Sequence, residues 1–219
     1  MSIPATEVER AGGSAGPGDA WTVTDPEREW AGLDAATKRE RLLCAAGRVF
    51  ARDGLDAPMP AVAAAAGAGV ASVYRQFASK RELLAALVTR RLEQIADAAG
   101  VAATHEGDRW SALTGMLWTI VARQSGDDFL GEALMAVIDH PDVVCATDRA
   151  TSALELLLAG ARAEGRLRSD ATTLDLRLLF AATRAAKQVE PEAWQRMLEL
   201  LIDALDGERG ECGIRHQGR

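Results

Sequence analysis

Ser72, Tyr74, Arg75 and Gln76 crowd the end of a stretch that is otherwise small and apolar, running from Met59 to Phe77. Those types suit contacts to a duplex. Serine and tyrosine hydroxyls donate to phosphate oxygens, and Lys38 or Arg39 upstream offers charge for the same purpose. An arginine can form two hydrogen bonds to the N7/O6 edge of guanine, and Val70 or Ala71 can meet a thymine methyl. From the residues alone Arg75 serves a base or a phosphate equally well, Tyr74 also reads as a packing residue, and Ser72 as a turn hydroxyl.

Two short helices must carry these groups. The spacing predicts one helix from about Pro60 to Ala66, a break at Gly67-Ala68-Gly69, and a second from Val70 to Phe77. Two short helices joined by a glycine-containing turn form a helix-turn-helix. Ala63, Ala64 and Ala66 allow close approach, while Val62, Val73 and Phe77 fill the seam. Upstream, Leu42, Ala46, Val49 and Phe50 recur at helical spacing and predict a helix from about Ala35 to Asp53, stopped at Gly54. Downstream, Ser79 with Glu82 three residues on has the form of a capping box, opening a helix to about Ala98.

The rest of the chain is also helical in pattern. Further helices are expected over Asp108–Ser125, Asp127–Asp139, Asp142–Glu164, Thr172–Lys187 and Pro191–Asp206, with Thr172 and Asp175 as a weaker cap pair. Nothing alternates with period two. The expected fold is all-α with about nine helices: an arm over residues 1–34, disordered by composition, a head over 35–84 and a body over 85–219. Trp21 and Trp30 are unusual in such an arm.

Charge follows the same division. The chain of 219 residues carries a net charge of −7. Residues 35–99 hold 10 basic and 6 acidic side chains, whereas residues 1–34 and 100–219 carry −5 and −6. A basic head on an acidic body fits a duplex-facing module. The three cysteines and three histidines are scattered, so no metal site, cofactor or catalytic constellation is expected. The longest strongly apolar run, Leu83 to Val88, falls far short of the roughly 20 residues a membrane span needs. With no apolar leader core near Met1, a cytoplasmic location is expected.

The head resembles the TetR family of transcription regulators. The residues that carry the likeness are Phe50-Ala51-Arg52-Asp53-Gly54, Val62-Ala63, Ala66-Gly67-Ala68, Ala71 to Phe77 and Ser79-Lys80-Arg81-Glu82-Leu83, in the family's order and spacing. Gly165 to Asp170 is a weaker echo of a link between late body helices. Pro58, Ala68, Ala71 and Gln76 depart from the usual cap hydroxyl, Val, Gly and His.

The resemblance implies a DNA-binding face of Lys38, Arg39, Val70, Ala71, Ser72, Tyr74, Arg75, Gln76 and Lys80, with Lys80 as the family's backbone-contacting lysine. It also implies an effector pocket in the body, for which Trp110, Trp118, Phe129, Met135, His140 and Phe180 are candidates. A homodimer through the last two helices follows, with Leu178, Trp194, Leu198, Leu201 and Leu205 as candidate interface residues. The expected function is a repressor of a palindromic double-stranded DNA operator, released by a small apolar or amphipathic ligand. The alternatives are a ligand-independent regulator with a filled body core, and a helical enzyme or interaction module.

Overall fold

A computed structural model describes residues 30–105, 107–123 and 129–207. Among these, the helices are α1 (Ala35–Asp53), α2 (Met59–Ala66), α3 (Val70–Gln76), α4 (Lys80–Ala103), α5 (Arg109–Arg123), α6 (Leu130–Val137), α7 (Pro141–Ala163), α8 (Thr173–Val189) and α9 (Ala193–Leu205). The all-α expectation is met. The one piece of extended pairing among the described residues is a bridge between Leu167 and Asp206. There Arg168 N–H donates to the Leu205 carbonyl at 3.0 Å and Gly207 N–H to the Arg166 carbonyl at 2.7 Å. These bonds tie the α7–α8 link, the Gly165 to Asp170 stretch, to the end of α9.

The helix starts follow local chemistry. Asp34 caps α1: its carboxylate accepts the Thr37 N–H at 2.8 Å and the Thr37 hydroxyl at 2.9 Å. The Thr37 backbone bond, then the hydroxyl bond, holds the Asp34 carboxyl below the usual carboxylate range. Gly67 ends α2 at φ +67°, a left-handed conformation that costs glycine little, and its N–H bonds back to the Ala63 and Ala64 carbonyls.

The two predicted cap pairs behave differently. Ser79 Oγ accepts the Glu82 N–H at 3.2 Å, but the Glu82 carboxylate lies 3.3 Å from Nε2 of His140 instead of closing the box. A side-chain partner across the helix boundary thus competes with the local backbone N–H for the Glu82 carboxylate. Asp175 does reach back, accepting the Thr172 N–H at 2.7 Å.

Two hydrophobic clusters share the molecule, and α4 runs through both. The head cluster gathers Leu42, Phe50, Val62, Val73, Phe77 and Leu83 with Phe129, Ala133 and Val137 from in and around α6. The body cluster gathers Ala99, Leu113, Leu117, Leu157, Leu176, Leu179 and Leu198. Burial of Ala99 and Ala102 explains why α4 extends to Ala103, beyond the Ala98 suggested by pattern.

Composition places residues 30–34 in the arm. Instead, Trp30 is 6% exposed and packs into the head cluster, helical backbone covers Trp30 to Gly32, and Asp34 caps α1. Aromatic burial outweighs the polar, glycine-rich surroundings that suggested disorder. The rest of the expected arm, including Trp21, lies outside the described residues.

Candidate nucleic-acid interface

The α2–α3 unit packs through its predicted seam. Val62 and Val73 are fully buried, and Ala63, Ala66 and Phe77 nearly so; Ala64, expected in the seam, faces outward. With Val73 and Phe77 inward, the other side of α3 is left to solvent. Val70, Ala71, Tyr74 and Arg75 are exposed, while Ser72 and Gln76 are half-buried. An outward Tyr74 at 48% exposure decides against its being a seam residue.

Local contacts order several of these groups. The Arg75 guanidinium donates to Ser72 Oγ at 2.9 Å, so two candidate DNA contacts hold each other one turn apart. The Arg39 guanidinium lies over the Phe77 ring, 4.5 Å from its centroid, which brings α1 to the end of α3. Lys38 Nζ donates to the Ala31 carbonyl at 3.3 Å, and Lys80 Nζ sits 5.8 Å from the Phe50 ring centroid. The candidate DNA-binding residues therefore come from the start of α1, from α3 and from the start of α4.

The six candidate pocket residues are not brought together. Trp110, Trp118 and Phe180 belong to the body cluster, with Trp118 set edge-on to Trp194 at 5.8 Å between centroids. Phe129 instead packs its ring at a tilt against Phe50, 5.9 Å between centroids, inside the head cluster. Met135 is 68% exposed. His140 caps α7, accepting the Asp142 N–H on Nδ1 at 3.3 Å while Nε2 faces Glu82. Helical spacing places side chains on a face but does not say which neighbour that face meets. Here α6 docks on the head, and that contact separates the set.

The same docking links head and body by charge. Arg81, next to Lys80, donates to the Ala136 carbonyl at 2.8 Å and to Asp139 at 2.7 Å. The Arg81 hydrogen bond holds the Asp139 carboxyl below its usual range.

The candidate interface set also divides. Leu198 is fully buried and Leu205 nearly so, both within the body cluster, with Trp194 and Leu201 packed against them. Leu178 is 59% exposed and shares the surface of α8 with Leu174, at 56%. On α9 the exposed large apolar residue is Leu200, flanked on the same face by half-buried Met197 and exposed Ala204. Both helices are thus apolar on two faces, and the sequence reading selected the inner face of α9. The outer row on α8, Leu174, Leu178, Ala181 and Ala185, also recurs at helical spacing, which is the signal that marks it.

Comparison with known proteins points to the same family as the motifs. A family model described as "Bacterial regulatory proteins, tetR family" matches residues 42–87. The fold is similar to a TetR transcriptional regulator, SCO0520, from Streptomyces coelicolor, with 26% identity over 77% of this chain and 98% of that one, at a TM-score of 0.59. It is likewise similar to a TetR transcription regulatory protein from Mycobacterium vanbaalenii, with 29% identity, 79% and 97% coverage and a TM-score of 0.58. Residues 42–87 thus match the TetR family's model, and the described chain is similar in fold to TetR regulators. A third likeness is to SmeT, repressor of the Stenotrophomonas maltophilia multidrug efflux pump SmeDEF, at 26% identity, 76% and 87% coverage and a TM-score of 0.56. The search of curated proteins finds no match.

Within the TetR pattern, the departures are visible in the structure. Pro58 occupies the α2 N-cap and supplies no side-chain bond. Pro60 sits in the first turn, where its missing N–H has no helical acceptor to lose. The helix-turn-helix is of the type found in TetR DNA-binding transcription regulators, with an α2 that lacks the cap hydroxyl.

Proposed function

We propose that this regulator is a homodimeric repressor that grips a palindromic operator through the outer face of α3 and yields it when a small molecule binds. The observation that carries the DNA-binding reading is the exposed row Val70, Ala71, Tyr74 and Arg75 on a helix whose opposite side is locked by Val73 and Phe77. Dimerisation is supported by the apolar outer faces of α8 and α9, and two-fold symmetry doubles the base contacts available to one short head. As a DNA-binding regulator it acts in the cytoplasm. Repression is suggested by SmeT, described as a repressor, and effector binding by a structure described as a SmeT–triclosan complex.

One observation favours the ligand-independent alternative. Trp110 lies in the body core and the half-buried Trp118 and Phe180 pack against it, apart from the other three candidates.

The roles on the head separate by mutation. Arg75→Ala relaxes preference at one base position per half-site, costing about 1–3 kcal/mol for the preferred base. Lys80→Ala weakens all sequences alike and lowers the slope of log affinity against log salt by about 1 for each head. Competition binding on a set of singly varied operators, repeated across salt, measures both. Uniform loss in Arg75→Ala assigns that side chain to phosphate.

A further inference from the structure

Where α1 of the head meets α4 and α7, a cleft of about 580 Å3 opens, floored by Leu43, Ala86 and Ala146. Its charged walls carry three arginines and three carboxylates. Four of these are committed: Arg90 pairs with Glu40 at 2.7 Å, and Arg149 with Glu93 at 3.5 Å. That leaves Arg39, which rests on the Phe77 ring, and Asp142. Among the described residues neither has a side-chain ion pair. A third polar group lies just beneath this wall: among the described residues Thr89 Oγ1, on a cleft-lining residue, is buried with no hydrogen-bond partner. Buried hydroxyls are almost always bonded, so an orphan lining a cleft marks a place for one.

We infer that this cleft binds a small zwitterion of amino-acid or dipeptide type. Its carboxylate lies on Arg39, its ammonium on Asp142, and a polar group bonds Thr89. The volume falls in the usual range for small-molecule sites, roughly 300–1,000 Å3. A simple anion would face Glu40, Glu93 and Asp142 as well as the arginines, and gains little from a wall of balanced charge. The site differs from the pocket expected among the body aromatics, and its walls come from both head and body. Because Arg39 leans on the last turn of α3, an occupant that holds Arg39 against Asp142 favours one pitch of the head. It then shifts operator affinity by the difference in its affinity for the two pitches. This regulatory consequence rests on the effector-responsive reading above.

The test uses the full-length protein without DNA. The probes are L-serine and seryl-serine as zwitterions, lactate and inorganic phosphate as anions, and ethanolamine as a cation, scored by thermal stabilisation and calorimetric titration. Only the zwitterions stabilise; Asp142→Asn weakens their binding by about tenfold or more, as loss of a bond to a charged group does, and Thr89→Val weakens it by a smaller factor, about threefold, as loss of a neutral bond does. Thr89→Val leaves the unliganded protein at least as stable, because it exchanges an unpartnered hydroxyl for a methyl. The inference is overturned if no zwitterion stabilises, if lactate or phosphate does so equally, or if binding survives Asp142→Asn unchanged. Operator release by the same zwitterions is measured separately. Stabilisation lost in Asp142→Asn supports the site even where release is absent, and that absence then counts against the effector reading alone.

Discussion

Leu178→Glu combined with Leu200→Glu yields a protein that stays helical, sediments as a monomer and loses specific operator binding. Both leucines are exposed on the described chain, at 59% and 47%, so the charges sit in water in the free protomer. In a bundle formed by α8 and α9 with their symmetry mates, the same charges are buried unpaired, which association cannot sustain. A lone head retains the non-specific component of binding, so affinity for the operator falls by roughly 10³-fold or more. Leu198→Glu has a different outcome. Its side chain is fully buried in the body cluster, and the charged variant loses helical signal as the body unfolds. Sedimentation and circular dichroism on the two variants separate the outer face from the inner. A double variant that remains dimeric places the interface elsewhere.

Trp30→Ala destabilises the head by about 3–5 kcal/mol, the usual cost of truncating a buried large aromatic. A domain of this kind is stable by only about 5–15 kcal/mol, so much of the folded population is at stake at modest denaturant. The loss follows from the 6% exposure of Trp30 and its place among Leu42, Phe50 and Leu83. Urea unfolding of the full chain measures it. A change within about 0.5 kcal/mol, as surface positions give, would mean that Trp30 contributes no packing to the head.

Sequence carried the head further than the body for a physical reason. The helix-turn-helix is specified by neighbours in the chain: Gly67 for the left-handed turn, Val73 and Phe77 four apart, Asp53-Gly54 closing α1. Each cue is local, and each reappears at its expected place. Trp30 was obscured because only its tertiary contact with the head, and nothing in its flanks, reveals burial. Phe129 and His140 were grouped with the body aromatics on residue type, yet α6 turns them toward Phe50 and Glu82. On α9 the apolar pattern has two faces, and periodicity alone does not rank Leu198 against Leu200. The junction cleft depends on α1, α4 and α7 meeting, which no single stretch encodes.

Selection of bound fragments from random double-stranded DNA by the purified protein addresses the central claim most directly. A dimeric reader with one α3 in each major groove enriches inverted repeats. Their half-sites are separated by about one helical turn, or a simple extension of it, and share a guanine that Arg75→Ala no longer requires. Enrichment of asymmetric or single-stranded sequences alone, or no enrichment above the starting pool, would contradict symmetric recognition through α3.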